Sequence, residues 1–235
     1  EKNKTITIQD NGIGMDENDM QANLGTIAKS GTEDFIKKLG DKKGDINQIG
    51  KFGVGFYSSF MVSDQVVVRS KKYDSSSSYL WTSDGKGTFS IEPTEFNMFG
   101  TEITLSIKKD EDEFLSKFRI EEIVKKYSDF VPFPIFVTSE EDKKEKKDKE
   151  EKEEQINSAE AIWLKDKTKI KEDEYKSFFN QTSTYYDEPL QTIHFKAEGV
   201  VNYTALLYLP KSQPQDLYHP DRKNKLKLYV NKVFI

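Results

Sequence analysis

A run of fifteen charged residues divides the chain and limits how it can fold. Residues 140–154 hold six lysines and nine acidic residues, which gives a net charge of −3 and no apolar side chain. Such a segment has nothing to bury that would offset the entropy of ordering it. A solvated helix with ion pairs four residues apart is the alternative, and a flexible linker is favoured. We predict one domain over residues 1–138, a linker over 139–155 and a second domain over 156–235.

The first predicted domain contains short stretches in which apolar and polar residues alternate, as in half-buried strands. Strands are predicted over residues 4–9, 65–70, 78–81, 88–91 and 100–107. Turn residues separate them, which favours an antiparallel sheet. A helix is predicted over residues 119–130, where Pro132 and Pro134 follow. The predicted fold class is therefore α/β, an α+β two-layer sandwich with the sheet on one side and helices and a pocket on the other.

The first glycine motif, Asp-Asn-Gly-Ile-Gly-Met over residues 10–15, follows the first strand directly. Asp10 falls at the strand end, where an ionised carboxylate can accept a hydrogen bond from an exocyclic amine such as that of adenine. Gly12 and Gly14 allow the backbone to pass close to a flat ring. A tight Asp-Asn-Gly turn without any ligand is equally compatible with this motif.

The second glycine motif places Gly50, Gly53 and Gly55 before an apolar run over residues 56–62, which is predicted to be a buried helix. Backbone N–H groups at a helix start suit phosphate oxygens. The glycine spacing is the reverse of the dinucleotide fingerprint, and no Lys-Ser/Thr pair completes a P-loop. The two motifs together predict a nucleotide pocket of another type.

The segment between the motifs is polar and rich in glycine. Asp16 is predicted to cap a helix that has Asp19 in its first turn and runs to Leu24. Lys29 is a candidate phosphate partner, although a solvated surface lysine is the usual alternative. A short helix is predicted over residues 32–39. The glycines around it predict a mobile lid over the pocket.

The motifs, taken in order, resemble those of the ninety-kilodalton heat-shock chaperone family, and of its bacterial members in particular. The match includes Asn-Leu-Gly-Thr-Ile-Ala-Lys-Ser-Gly over residues 23–31 and Gly-Lys-Phe-Gly-Val-Gly-Phe over residues 50–56. It continues through residues 99–105, 126–129, 132–135 and 228–235, and so covers essentially the whole chain.

The resemblance implies an ATP pocket and a role for each matching residue. Asp10 would bind the adenine amine, with Gly14 and Thr101 in the surrounding water network. Met15 and Leu24 would line the apolar face of the ring. Asn23 and Lys29 would reach the ribose and phosphates. Backbone N–H groups of Gly50, Lys51, Phe52, Gly53, Val54, Gly55 and Phe56 would cradle the phosphates, and Phe56 would also lie near the sugar. Lys51 departs from the glutamine usual in the family.

The resemblance also implies a stress-related, homodimeric chaperone that hydrolyses ATP slowly and remodels unfolded client proteins. The family's general-base Glu and its Mg²⁺-binding Asn lie upstream of the motif at Asp10, and its phosphate-sensing Arg lies beyond Ile235. No catalytic or metal-binding residue is therefore expected in this segment, and we expect a fragment with residues missing at both ends.

The second predicted domain contains Trp163-Leu164, then a helix over residues 173–180 and strands over 199–210 and 226–235. Trp163 matches a family tryptophan implicated in client contact. A tryptophan at a strand start is more often a core anchor, and that interpretation is favoured. The aromatic pairs at 178–179 and 185–186 carry the same ambiguity.

Composition excludes several classes of protein. There is no cysteine, so disulfides and thiolate metal sites are excluded, and His194 and His219 lack zinc-ligand spacing. A net charge of −5 argues against a nucleic-acid binder. No apolar run approaches the roughly 20 residues that span a bilayer. We expect the bacterial cytoplasm, with an organellar relative as the open alternative.

Two other functions stay open. Sensor histidine kinases, type II topoisomerases and MutL-type repair proteins share this ATP-binding fold, although neither a phosphoacceptor histidine helix nor a basic nucleic-acid face is evident here. A nucleotide-binding scaffold without turnover is the other alternative.

Overall fold

The computed structural model describes residues 3–26, 53–139, 154–183, 187–213, 217–221, 226–230 and 232–235. The chain forms two compact units. The first comprises Glu1–Ile123 and Val137–Glu153, and the second comprises Val124–Phe136 and Glu154–Ile235. The domain boundaries predicted around residues 139–155 stay a prediction, and most of the predicted linker lies outside the described residues.

The first unit is built on a five-stranded antiparallel sheet, which confirms the predicted fold class. Its strands are β1 (Thr5–Asp10), β2 (Ser63–Lys71), β3 (Ser78–Ser83), β4 (Phe89–Thr94) and β5 (Gly100–Ile107). Their spatial order is β1-β5-β2-β3-β4, so that β1 lies at one edge and β2 in the centre.

One face of this sheet carries the hydrophobic core and the other is polar. Val68 pairs with Ile103 on one side and with Trp81 on the other, and directly paired residues project to the same face. On the opposite face, the hydroxyls of Thr7 and Thr104 lie 3.4 Å apart. The buried core cluster consists of Met20, Leu24, Val66, Val68, Trp81, Leu105 and Ile107. This is the two-sided pattern of an antiparallel sheet with one covered face.

Helix α1 (Glu17–Asn23) begins as predicted. Asp16 accepts a hydrogen bond from the Asp19 N–H at 2.9 Å, and the Asp19 carboxylate accepts one from the Asp16 N–H at 3.2 Å. This reciprocal pair is a capping box. Met20 is fully buried against the sheet core. The helix predicted over residues 32–39 lies outside the described residues.

The prediction of a buried helix over residues 56–62 is right about the helical backbone and wrong about the burial. A 3₁₀ turn (Gly55–Ser58) leads into the short helix α2 (Ser59–Val62), and neither has a fully buried residue. Hydroxyls of Ser58 and Ser59 donate to the carbonyls three residues earlier, each at 2.6 Å. Such bonds compete with regular helical pairing. Met61 is 73% exposed.

Helix α3 (Lys117–Tyr127) ends three residues before the predicted end at residue 130. Ile120, Ile123 and Val124 are half-buried as the predicted stripe requires, whereas Tyr127 is exposed. No helix in the described part of the chain is long and apolar enough to cross a membrane.

The second unit contains α4 (Glu172–Thr182) and the antiparallel pair β6 (Pro189–Ala197) and β7 (Tyr203–Pro210). The strand predicted from residue 199 starts later because the Gly199 N–H donates to Asn202 Oδ1 at 3.0 Å, closing a turn. β6 was not predicted.

Two further predictions for the second unit are wrong. The strand over 226–235 is instead the small hairpin β8 (Tyr229–Val230) and β9 (Val233–Phe234), where Lys232 has a φ of +70°. A positive φ breaks an extended strand. Trp163 lies in a 3₁₀ turn (Ile162–Leu164) rather than at a strand start.

A buried amide joins two distant segments of the second unit. Asn157, 3% exposed, accepts a hydrogen bond from the Ile135 N–H at 2.8 Å and donates to the carbonyls of Val131 and Phe133, both at 3.0 Å. Beside it, Phe136 pairs with Gln155 in an antiparallel bridge. We call these contacts the Asn157 clasp.

Candidate functional site

Three polar residues form one row across the end of the first unit's sheet. Asp10 on β1 is paired with Thr101 on β5, which is paired with Ser70 on β2. Paired residues share a face, so all three side chains project from the face that carries the core. Asp10 is the last residue of β1, as predicted.

Asp10 forms the turn that the motif also predicts. Its Oδ1 accepts a hydrogen bond from the Gly12 N–H at 2.8 Å. Its Oδ2 receives no hydrogen bond from the residues that the structure describes, and the side chain is exposed. One carboxylate oxygen is therefore occupied by the turn, and the other is available to a ligand.

The hydroxyl of Ser70 is fully buried and has three partners. It donates to the Gly100 carbonyl at 2.8 Å and accepts from the Met15 N–H at 2.8 Å. Thr101 Oγ1 lies 3.0 Å away. Because the single Ser70 proton is used on Gly100, Thr101 must donate in that contact. Thr101 then keeps its lone pairs for other groups.

Two glycines allow backbone segments to touch at the same place. Gly14 has a φ of +64°, and a Cβ there would lie 2.0 Å from the Lys71 carbonyl oxygen. Gly100 has a φ of +111°, and its Cβ would lie 2.1 Å from the Asp10 carbonyl oxygen. Only glycine fits such positions. Packing against β2 is thus enough to require glycine at position 14, whether or not Gly14 also contacts a ligand.

A lysine links the start of α1 to the end of β2. Lys72 Nζ lies 2.6 Å from Asp16 Oδ2 and 2.7 Å from Asp19 Oδ2. The hydrogen bond from Lys72 lowers the pKa of Asp16, and the bonds to both carboxylates raise the pKa of Lys72. The capping box and this lysine form one charged unit.

The predicted ring-lining residues belong to one apolar cluster. Leu24 is a buried member of the core, and Met15 and Phe56 pack against that core. The Tyr57 hydroxyl donates to the Leu24 carbonyl at 3.0 Å, which fixes the end of α1 to the 3₁₀ turn. Asn23, the last residue of α1, is half-buried.

Only half of the second glycine motif lies in the described residues. Gly53 has a φ of +64°, Val54 is exposed, and the Cβ position of Gly55 faces open space. Lys29, Gly50, Lys51 and Phe52 lie outside the described residues, as does the predicted lid. The phosphate cradle therefore stays a prediction.

Trp163 packs in an aromatic cluster of the second unit. Its ring centroid lies 4.7 Å from that of Phe130, 4.8 Å from Tyr229 and 5.8 Å from Phe178. The side chain is half-buried, as a core anchor would be. Client contact by Trp163 stays a prediction.

His194 lies between two groups of the second unit. Tyr175 Oη is 2.7 Å from its Nδ1, and the Trp163 carbonyl oxygen is 3.0 Å from its Nε2. A carbonyl only accepts, so Nε2 carries a proton, and in a neutral imidazole Nδ1 then accepts from the Tyr175 hydroxyl. The described residues contain no group of three or more His, Asp or Glu arranged to hold a metal ion.

Sequence reasoning missed Ser70, Tyr57 and Lys72. Ser70 occupies the position where the buried alternation Val66, Val68 continues with a polar residue, and that break in the pattern was the available signal. Tyr57 and Lys72 gave no signal, because their partners lie 33 and 56 residues away in the chain.

Two family models match the chain, one on each side of residue 112. The model described as histidine kinase-, DNA gyrase B- and HSP90-like ATPase matches residues 1–111. The model described as Hsp90 protein matches residues 113–155 and 138–235. The first match agrees with the observed sheet and helices.

Curated relatives match almost the whole chain. A protein named Chaperone protein HtpG from Wolinella succinogenes is 50% identical over 236 residues, covering 100% of this chain and 38% of the relative. The proteins of the same name from Paramagnetospirillum magneticum and Helicobacter pylori are 48% and 49% identical, covering 98% and 99% of this chain and 36% and 38% of their own lengths. The chain thus spans less than two-fifths of these relatives. With both its parts matched, it belongs to the Hsp90 protein family.

Proposed function

We propose that this chain supplies the ATP pocket and the start of the following domain of an ATP-dependent molecular chaperone. The observation that supports this most directly is the row of Asp10, Thr101 and Ser70. It presents a carboxylate oxygen and a hydroxyl at the end of the covered sheet face, next to an apolar cluster. A purine offers the matching chemistry, an exocyclic amine donor on a flat apolar ring.

Each pocket residue then has a defined task. Asp10 Oδ2 accepts a hydrogen bond from the adenine amine, while Thr101 and Gly14 share ordered water around the base. Met15 and Leu24 contact the ring, and Phe56 lies near the sugar. Asn23 and Lys29 bind the ribose and phosphates. Phosphate oxygens accept hydrogen bonds from the backbone N–H groups of Gly50, Lys51, Phe52, Gly53, Val54, Gly55 and Phe56.

The remaining functions concern a protein of the relatives' full length. In that protein, Mg²⁺ would accompany the phosphates, and slow hydrolysis and lid closure would change the conformation of a homodimer that binds unfolded client proteins. We propose the bacterial cytoplasm as its location.

Calorimetric titration of ATP and ADP tests the pocket, using the protein in its natural full length. Asp10→Asn keeps the size of the side chain but removes the charge that strengthens its hydrogen bonds, and we expect affinity to fall about ten- to hundredfold. Asp110→Asn makes the same chemical change at an exposed turn and serves as the matched control.

Circular dichroism shows whether each variant keeps its fold. Equal affinity in Asp10→Asn and wild type would make Asp10 a turn residue only and would overturn the pocket assignment. Binding without hydrolysis in the full-length protein would instead favour the nucleotide-binding scaffold.

A further inference from the structure

The end of β2 contacts the candidate pocket loop at successive points. The Met15 N–H donates to Ser70 Oγ at 2.8 Å, and the Tyr73 N–H donates to the Ile13 carbonyl at 2.7 Å. Between these two contacts, Lys72 reaches both carboxylates of the α1 capping box. Residues 70–73 therefore act as a template for the loop that joins Asp10 to α1.

Lys72 bridges two carboxylates of the same charge, those of Asp16 and Asp19. Without it, the carboxylates of Asp16 and Asp19 would repel each other at the start of α1. Its ammonium is 2.6 Å from one and 2.7 Å from the other, and all three side chains are only about one-third exposed, at 33–35%. Partial burial strengthens such contacts relative to a fully exposed pair.

Helix α1 depends on contacts of this kind. It has seven residues, whereas isolated helices shorter than about 12 residues are marginal in water. Apart from the capping box, its position is set by the buried Met20, by the Tyr57 bond to Leu24 and by Lys72. Met20 and Tyr57 hold the middle and the end of the helix, while Lys72 holds its start.

We propose that Lys72 is a positioning residue for the nucleotide site. By fixing the first turn of α1 to the end of β2, it holds Met15 before the helix and Asn23 and Leu24 at its end in the arrangement that receives the ligand. This inference rests on the proposed function, because those three residues are the proposed contacts to base and ribose.

The expected size of the effect follows from population arithmetic. If loss of Lys72 leaves the helix correctly placed in only a fraction of the molecules, the apparent affinity falls to that fraction of its original value. Lys72 makes two partly exposed ion pairs, and pairs of this kind contribute modestly to stability, so the expected loss of correctly placed helix is moderate. We expect Lys72→Met to weaken ADP binding about three- to tenfold.

The test compares Lys72→Met with Lys72→Arg and with Lys86→Met in the full-length protein. Lys86 forms a surface ion pair with Asp84 at 3.5 Å and is the matched control. We expect Lys72→Arg to restore most of the ADP affinity, since an arginine can also bridge two carboxylates. Lys86→Met should bind like wild type.

A double-mutant cycle shows whether Lys72 acts through the capping box. In the Asp16→Asn, Asp19→Asn background, Lys72→Met should cost little further affinity, because the charges it neutralises are gone. Wild-type affinity in Lys72→Met, or a full additional loss in that background, would overturn the proposal. Asp10→Asn separates the two claims. If Asp10→Asn binds ADP normally, the pocket assignment fails. If Asp10→Asn weakens ADP binding and Lys72→Met does not, the positioning role fails.

Discussion

The sheet end of the first unit and the aromatic cluster of the second unit bury polar groups in opposite ways. At the sheet end, the buried Ser70 hydroxyl has three hydrogen-bond partners. Beside the aromatic cluster, the Tyr208 hydroxyl is buried with no partner in the described part of the chain, and burial strongly raises the pKa of Tyr208. The ring of Tyr208 packs against those of Phe178 and Phe179.

The two regions are therefore held in place by different kinds of interaction. Hydrogen bonds with fixed directions determine the geometry at the sheet end, where a ligand must find atoms in defined places. Volume and buried apolar area determine the packing of the aromatic cluster, where pairs of rings can adopt several interplanar angles. Substitutions that remove volume should therefore cost more in the aromatic cluster than at the sheet end, and substitutions that disturb backbone contacts should cost more at the sheet end.

The largest effect is expected from removing the central ring of the aromatic cluster. Phe130 is 4% exposed and contacts Trp163, Phe178 and Tyr229. Phe130→Ala should lower the free energy of unfolding of the second unit by about 3–5 kcal/mol through lost burial and an added cavity. Denaturant titration followed by tryptophan fluorescence in a Trp81→Phe background reports on Trp163 alone, since the chain has two tryptophans.

The matched control for Phe130 is Phe133, which is 70% exposed. Phe133→Ala should change the unfolding midpoint little. An equal loss in both variants would mean that burial in the cluster does not determine its stability.

A smaller effect should follow from crowding the backbone contact at the sheet end. Gly14→Ala places a Cβ 2.0 Å from the Lys71 carbonyl oxygen at a φ of +64°. We expect a loss of about 2–4 kcal/mol from strain and displaced backbone, measured by denaturation with Trp81 as the reporter in a Trp163→Phe background.

Gly87→Ala serves as the control for Gly14, because Gly87 has a φ of +95° but no atom within 4 Å of its Cβ position. It should cost only the conformational strain of about 1–2 kcal/mol. Similar losses of unfolding free energy in Gly14→Ala and Gly87→Ala would show that the close approach of Gly14 to β2 does not contribute to stability.

The smallest and most discriminating comparison removes one buried hydroxyl from each region. Ser70→Ala leaves the Met15 N–H and the Gly100 carbonyl without their partner and should cost about 1–3 kcal/mol. Tyr208→Phe removes a hydroxyl that has no partner in the described residues, so stability should stay within about 0.5 kcal/mol or rise. Thermal and denaturant unfolding of both variants checks the contrast, and a large loss in Tyr208→Phe would break it.

Local pattern was sufficient to predict the first unit's sheet. β5 (Gly100–Ile107) coincides with its predicted range, and the capping box at Asp16 follows from residues three apart. These features depend on neighbours in the chain, where alternation and capping chemistry are visible. β6 was missed although polar and apolar residues alternate over Thr192–Ala197, so a local signal for the second part of this strand was present in the sequence.

Contacts between distant residues explain what could not be predicted at the candidate site. Ser70 acquires its role only when β2 lies beside β5, and Lys72 reaches carboxylates 53 and 56 positions away. The local sequence signals only that Ser70 is a polar residue in a buried alternation, not which groups it contacts, and it gives no signal for Lys72. The hairpin near the end of the chain was missed for another reason. The segments 226–230 and 233–235 are rich in apolar residues and are predicted as one strand unless the positive φ of Lys232 is known.

The Asn157 clasp has a consequence for how the charged run can vary. The chain passes out of the second unit at Phe136 and returns at Gln155, and these two residues are paired with each other. Whatever length separates them begins and ends at the same point. Each doubling of the length of a segment whose ends are held together adds only about 0.6 kcal/mol of loop-closure entropy cost. The position between Phe136 and Gln155 is therefore a natural insertion point, where foreign sequence with adjacent ends can be added while the clasp and the packing behind it stay in register.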